Sequence, residues 1–170
     1  MENVFYISIP ALLVLITAYL LINKLLKNEE KRRNFELRKN NQSQVTPIRL
    51  RAYERLALLL ERTSPNTLVL NATKPEMTAL DLQRELLASL RQEFGHNVSQ
   101  QIYVSSELWG AIKSVQESLL RLVNMCAAKC PPDAKASVLA EMIIQVYSSS
   151  EQPPAETALE LLKKEVRTLI

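Results

Sequence analysis

The chain is poor in the residues that build catalytic and metal sites. Its 170 residues include two glycines, two cysteines and one histidine. A glycine-rich phosphate loop needs several glycines at fixed spacing, and a zinc site needs three or four His, Cys or carboxylate ligands at close spacing, and neither pattern is present. No nucleophile elbow and no distinctive pair of carboxylates occurs either. The sequence therefore predicts a protein that is not an enzyme and that uses no cofactor or metal.

Glycine and aromatic residues are scarce, and leucine and alanine take their place. Hydrophobic residues make up 47% of the chain, but only 5% of the residues are aromatic. Strand-type alternation is hard to find, so this composition favours helices over sheets. Cys126 and Cys130 stand four residues apart in a helical stretch, where neighbouring turns give poor disulfide geometry. We expect two reduced, partly buried thiols in a cytosolic compartment.

The positive charge is concentrated in the first third of the chain. Residues 1–55 contain ten Lys and Arg against five Asp and Glu, whereas residues 56–170 contain eleven against thirteen. A nucleic-acid-binding protein would carry its basic patch on the folded module instead. The sequence therefore predicts no nucleic-acid partner.

An uncharged apolar stretch covers residues 4–22. Its 19 residues would reach about 28 Å as a helix, close to the thickness of the hydrocarbon layer of a bilayer. The stretch is longer than the apolar part of a signal peptide, and no small-residue cleavage pattern follows it. We expect an uncleaved membrane anchor, residues 1–23, whose partner is the lipid bilayer.

Basic residues follow the apolar stretch directly, and the tail before it has none. By the positive-inside rule, residues 24–170 should then be cytoplasmic and the N-terminus outside. The expected organisation is an anchor (1–23), a basic helical stalk (24–45) ending near Asn40–Gln44, and a cytoplasmic helical domain (46–170). The flanking basic residues are Lys24, Lys27, Lys31, Arg32 and Arg33.

The domain from residue 46 onward is predicted to be a bundle of about five helices. Thr46-Pro47 resembles a cap and first helical residue, and Pro65 should end that helix. Residues 68–70, Leu-Val-Leu, fit either a short strand or an apolar loop. Thr78 and Asp81 form a capping-box pattern, and the helix they open should end at Gly95 in the left-handed conformation.

The remaining helices follow from the same signals. Ser105 or Ser106 should cap a long helix that ends before Pro131-Pro132, and Asp133 should cap the next one. A last amphipathic helix is expected over residues 155–170, with Leu159, Leu162, Val166 and Leu169 on its apolar face.

A polar segment between two of these helices, residues 96–105, is unusual in composition. Its amides and phenol either satisfy backbone groups left unpaired at a helix crossing or form a patch that binds a partner. The same residues allow a third hypothesis, in which His96 is a general base oriented by Glu93, but the other catalytic residues are missing. The candidate residues are His96, Asn97, Gln100, Gln101, Tyr103 and the neighbouring Trp109.

Three segments of the chain resemble an uncharacterised family of small membrane-anchored proteins from Bacteroidetes bacteria. They are IRLRAYERLALLLER, LQRELLASLRQEFGHNVSQQIYVS, and Trp109 with Ile112-Lys113. The resemblance covers about residues 1–125 and is most specific from Glu93 to Tyr103. It implies the single-pass topology, and a Gram-negative-type host implies the inner membrane. It implies no activity, because the family is a domain of unknown function.

These observations favour a membrane-tethered helical interaction module, an adaptor or accessory subunit at the cytoplasmic face of the inner membrane. Its partner would be another protein or a second copy of the chain. The alternative hypothesis is a membrane-associated sensor that binds a small molecule or lipid between helices near His96 and Tyr103.

Overall fold

The computed structural model describes residues 2–149 and 153–169, but not the side chains of residues 2–14, 18 and 38–43. The chain divides into two compact units, residues 1–45 and 46–170. Within the described residues every regular element is helical, which confirms the all-α prediction. The elements are α1 (Glu2–Arg62), α2 (Pro65–Ala72), α3 (Ala79–Asn97), a 3-10 helix (Val98–Ile102), α4 (Ser106–Ala127), α5 (Ala136–Ser148) and α6 (Pro154–Leu169).

The first unit contains only the N-terminal part of α1. The predicted membrane segment, residues 4–22, lies mostly outside the described side chains. No helix among the described residues has a stretch long and apolar enough to cross a membrane. The five flanking basic residues, Lys24 to Arg33, are exposed. Arg32 forms an ion pair with Glu36 at 3.0 Å.

The predicted interruption of the helix between Asn40 and Pro47 is wrong, because α1 continues to Arg62. A proline inside a helix removes one hydrogen bond and crowds the preceding turn, but its fixed φ is itself helical. The helix therefore passes through Pro47 without a break. Thr46 lies inside α1 and does not cap a helix.

Residues 65–72 form α2, so both the strand and the loop expected at residues 68–70 are wrong. Pro65 does not merely end the preceding helix, because it occupies the first turn of the next one, where its missing N–H is not needed. Leu68, Val69 and Ala72 are buried, whereas Leu70 is 79% exposed. This is the spacing of a short amphipathic helix, and the segment is too short for its periodicity to be recognised in the sequence.

The start of α3 is as predicted, but its end is not. The Thr78 side chain accepts from the Asp81 N–H while the Asp81 carboxylate accepts from the Thr78 N–H, which completes the capping box. Gly95 does not close the helix in the left-handed conformation; α3 extends to Asn97 and passes directly into the 3-10 helix. The Val98 N–H donates to the Gly95 carbonyl. A left-handed cap is therefore unnecessary.

The beginning of α5 depends on the loop before α3. Asp133 is not its cap as predicted; Lys135 is the N-cap residue and makes no side-chain cap bond. Instead the Ala136 N–H donates to the Met77 carbonyl at 3.0 Å, and the Ala79 N–H donates to the Ala134 carbonyl at 2.7 Å. The two helix starts thus satisfy each other's backbone groups. Met77 follows a turn in which Glu76 has a φ of 66°, a conformation that favours glycine.

The core of the second unit is built around α4. Ser105, one of the two predicted cap residues, caps this helix through its side chain. One stripe of α4 is buried against α3, α5 and α6. The buried residues of the stripe are Leu108, Ile112, Val115, Leu119, Val123 and Cys126.

Candidate functional site

The predicted polar patch lies where α3 passes through the 3-10 helix into α4. His96 and Asn97 are the last two residues of α3, and Gln100 and Gln101 lie in the 3-10 helix. Tyr103 follows that helix, and Trp109 lies in the first turn of α4. The structure therefore brings these residues to one region of the fold, but it divides them by burial.

Asn97 and Gln100 form the buried half of the patch. Each side chain is 7% exposed. The Asn97 Nδ2 donates to the Glu93 carbonyl at 2.9 Å, one turn earlier in α3. The Gln100 Nε2 donates to the Ser99 Oγ at 3.1 Å. The first bond lies within α3 and the second within the 3-10 helix, so these buried amides are satisfied locally on either side of the junction, which is a structural role.

The other half of the patch is open to solvent. His96 and Gln101 are exposed, and the two aliphatic residues between and beside them are exposed as well. Val98 is 50% exposed and Ile102 is 72% exposed. Tyr103 and Trp109 are half-buried, and Trp109 packs against the core. We call Val98 and Ile102, with His96 and Gln101 around them, the exposed face of the 3-10 helix.

A second polar cluster lies beside this junction, and the sequence did not reveal it. The Tyr53 hydroxyl donates to Glu165 Oε2 at 2.9 Å and accepts from Arg49 Nη2 at 2.8 Å. The Arg49 Nε donates to the Tyr103 carbonyl at 3.0 Å. The Ser105 hydroxyl donates to the other Glu165 oxygen. We call these four side chains, Arg49, Tyr53, Ser105 and Glu165, the Tyr53 cluster.

The Tyr53 cluster joins helices that are far apart in the chain. It connects α1, the N-cap residue of α4 and the C-terminal half of α6. Tyr53 itself is 2% exposed. Its burial, followed by the Glu165 carboxylate, raises the pKa of Tyr53, while Arg49 acts in the opposite direction. The hydroxyl is therefore a neutral donor at ordinary pH, and the cluster is a link between helices.

The other groups considered for chemistry are His96 and the two cysteines. His96 is exposed, and its carbonyl accepts from Arg55 Nη2 at 3.4 Å, so the backbone of His96 is engaged in packing. Cys126 and Cys130 are free and buried, with Cys130 just beyond the end of α4. Burial raises the pKa of the Cys126 thiol. In the part of the chain that the structure describes, no three His, Cys, Asp or Glu residues come together as metal ligands.

Over the residues that the structure describes, the protein is all-helical, and its Tyr53 cluster links helices that are distant in the chain. Comparison with known proteins then places it: the chain belongs to the family of unknown function DUF7935, which it matches over residues 1–169. The match includes α5 and α6, beyond the extent of about residues 1–125 that the sequence resemblance indicated. No curated protein and no solved structure matches the chain.

The first prediction separates the two halves of the polar patch. Replacing Gln100 by Ala removes a buried side chain and its bond to the Ser99 hydroxyl, so we expect a loss of about 1 kcal/mol or more in the free energy of unfolding. Replacing Gln101 by Ala changes an exposed side chain, and we expect a change within about 0.5 kcal/mol. Denaturant unfolding of the full chain, followed by circular dichroism, measures both. Equal losses in the two variants would contradict the division by burial.

The second prediction concerns the Tyr53 cluster. Tyr53→Phe leaves Arg49 and Glu165 without their shared hydroxyl, so we expect a loss of about 1.5–3 kcal/mol. Tyr147→Phe, at a half-buried tyrosine outside the cluster, is the matched control and should stay within about 0.5 kcal/mol.

The pH dependence of this loss follows from the pKa of Tyr53. Because folding raises that pKa, the stabilisation is complete below the unfolded-state value of about 10 and is lost as pH rises through the folded-state value. The difference between wild type and Tyr53→Phe should therefore be constant between about pH 6 and pH 9. A difference that changes across this range would show that the hydroxyl does not act as a neutral donor.

Proposed function

We propose that this protein is a membrane-tethered helical interaction module that binds another protein through the exposed face of the 3-10 helix. The observation that supports this proposal most directly is the exposure of Ile102, 72%, on an ordered helical turn. Val98, at 50% exposure, lies four residues earlier, at the start of the same 3-10 helix. Exposed apolar side chains among polar ones are the composition of a small protein interface.

The internal hydrogen bonds around this face also favour binding. Asn97 and Gln100 anchor the 3-10 helix from its buried side, and Arg49 holds the Tyr103 carbonyl just beyond it. The exposed side chains are therefore presented on a pre-organised backbone. Ordering a loop on binding costs free energy, and a surface that is already ordered avoids that cost.

The tether is supported by the sequence of residues 1–33. The apolar stretch 4–22 is long enough to span a bilayer, and five Lys and Arg residues follow it within 11 positions. By the positive-inside rule this arrangement leaves residues 24–170 on the cytoplasmic side of the inner membrane. A tether would confine the module to two dimensions near its partner, which raises the effective concentration of the interaction.

A sensor that binds a small molecule or lipid is the second candidate function. The specific observation in its favour is an apolar groove, which lies between α4, α5 and the start of α6 and not near His96 and Tyr103 as expected. An enzyme remains the least supported function, because His96 is exposed and lacks the further groups that general-base catalysis requires.

The third prediction tests the tether. Carbonate washing of membranes should leave the full chain in the pellet, whereas a chain with Leu13 and Leu15 both replaced by Arg should be released, because each charge at the bilayer centre is costly.

The orientation of the tether is tested by labelling, in chains where Cys126 and Cys130 are changed to Ala and one new cysteine is introduced. Gln44→Cys should react with an impermeant maleimide only after lysis, and Glu2→Cys in intact spheroplasts. Release of the unmodified chain would refute the tether, and the reverse labelling pattern would refute the orientation.

The fourth prediction tests the exposed face. A photo-crosslinking amino acid at position 102 should capture a partner in cells, and the same amino acid at position 70 is the matched control. Leu70 is 79% exposed, close to the 72% of Ile102, but it lies on α2. Ile102→Lys should weaken the association about tenfold or more, as expected for a central apolar contact, and Leu70→Lys should not. Both should leave the stability of the full chain within about 0.5 kcal/mol.

The outcome of the crosslinking decides the kind of partner. Capture of a discrete protein at position 102 alone supports an adaptor, and capture of a differently tagged copy of the chain supports self-association. Identical products from positions 102 and 70 would mean random collision and would contradict the proposed interface.

A further inference from the structure

An apolar groove in the second unit has no role in the proposed interaction. Its volume is about 570 Å³. The walls come from Leu119, Leu122 and Met125 of α4, from Val146 and Tyr147 of α5, and from Ala155 at the start of α6. This volume lies in the range of sites for small ligands, roughly 300–1,000 Å³.

The residues that line the groove differ in burial and in size. Leu119 is 5% exposed and forms part of the core beneath, whereas Met125 is 45% exposed at the rim. On the α6 side the described lining residues are Pro154 and Ala155, whose side chains are small. An unbranched methionine adapts to ligands of different shape, which suits a wall that contacts a flexible chain.

The lining of the groove contains a single charged side chain among the described residues, Arg121. Its guanidinium is 3.7 Å from the Glu117 carboxylate, in a pair whose side chains are 70% and 67% exposed. It also donates to the Ser118 Oγ at 3.2 Å. An ion pair of this length and exposure contributes little, so an incoming anion can replace Glu117 at small cost. Among the described residues, the groove therefore combines an apolar channel with the Arg121 cation at its edge, which is paired with Glu117.

We propose that this groove binds a single-chain anionic amphiphile such as a fatty acid. The alkyl chain would lie along Leu119, Leu122 and Met125, and the carboxylate would pair with Arg121. The volume of about 570 Å³ favours one alkyl chain over a two-chain lipid and a small ligand over a protein helix. The site is distinct from the exposed face of the 3-10 helix and does not depend on the proposed interaction or on the tether.

The test is photolabelling of the full chain in the cells that produce it. The probe is a sixteen-carbon fatty acid that carries a diazirine in the chain and an alkyne at its end. After irradiation, the labelled residues are located by mass spectrometry of peptides. We expect labelling of the α4 peptide that contains Leu122 and Met125 and of the α5 peptide that contains Tyr147. Because labelling is read peptide by peptide, it separates the groove from residues 4–22, whatever the location of the protein.

Variants assign the contributions of the apolar wall and the cation. Met125→Glu places a negative charge in the groove and should reduce labelling there about tenfold; Val138→Glu is the matched control, since both side chains are 45% exposed. Arg121→Gln should reduce labelling about two- to fivefold, as the loss of one exposed ion pair predicts, whereas Arg91→Gln at an exposed arginine of α3 should not. An excess of unlabelled hexadecanoate should compete more effectively than hexadecanol.

Several outcomes would overturn the proposal. Labelling confined to residues 4–22, or spread evenly over the exposed surface, would show that the groove binds no fatty acid. Equal loss of labelling in Met125→Glu and Val138→Glu would show that the label does not depend on the groove. Equal competition by hexadecanol would show that Arg121 does not select an anion.

Discussion

The fold depends on covering one stripe of α4. Six side chains of that helix, from Leu108 to Cys126, are buried, and α3, α5 and α6 all pack against it. Burial of a large aliphatic side chain contributes about 1.5–3 kcal/mol, so this stripe is a major source of stability for the second unit. The direction in which the chain enters α4 is therefore fixed. That entry is made by the 3-10 helix and by Ser105, whose side chain caps α4 and also donates to Glu165.

The candidate interface is a consequence of that entry. The chain must leave the end of α3 and reach Ser105 within eight residues of Asn97, and the 3-10 helix accomplishes this with a tight turn. Asn97 and Gln100 are turned inward, where their amides have partners. Val98 and Ile102 are turned outward, although both are aliphatic. Burial of Asn97 and Gln100 on one side of the junction thus leaves Val98 and Ile102 exposed on the other side, where a partner protein can cover them.

The sequence predicted helix starts that are capped locally. It missed bonds to distant partners and also three local features, namely the continuity of α1, the short helix α2 and the end of α3. The start of α4 at Ser105 or Ser106 and the Thr78–Asp81 capping box were predicted, because the residues responsible lie within a few positions of each other. The start of α5 was misassigned because the Ala136 N–H donates to the Met77 carbonyl, which is 59 residues away. The Tyr53 cluster was missed for the same reason, since Tyr53 and Glu165 are separated by 112 residues. The sequence indicated the polar patch as a candidate, but its division into buried and exposed halves required the fold.

The groove and the exposed face lie near opposite ends of the same pair of helices. Glu165, near the end of α6, contacts Ser105 at the beginning of α4. Ala155, at the start of α6, lines the groove with Leu119 and Leu122 from the second half of α4. The two helices are therefore antiparallel. The ten residues between Ala155 and Glu165 span about 15 Å of helix. A ligand in the groove would influence the exposed face only if it bound two arrangements of α6 with different affinity. The Tyr53 cluster opposes such a change, because moving α6 would separate Glu165 from two hydroxyl donors. Any coupling between the two proposed surfaces would therefore require that cluster to open.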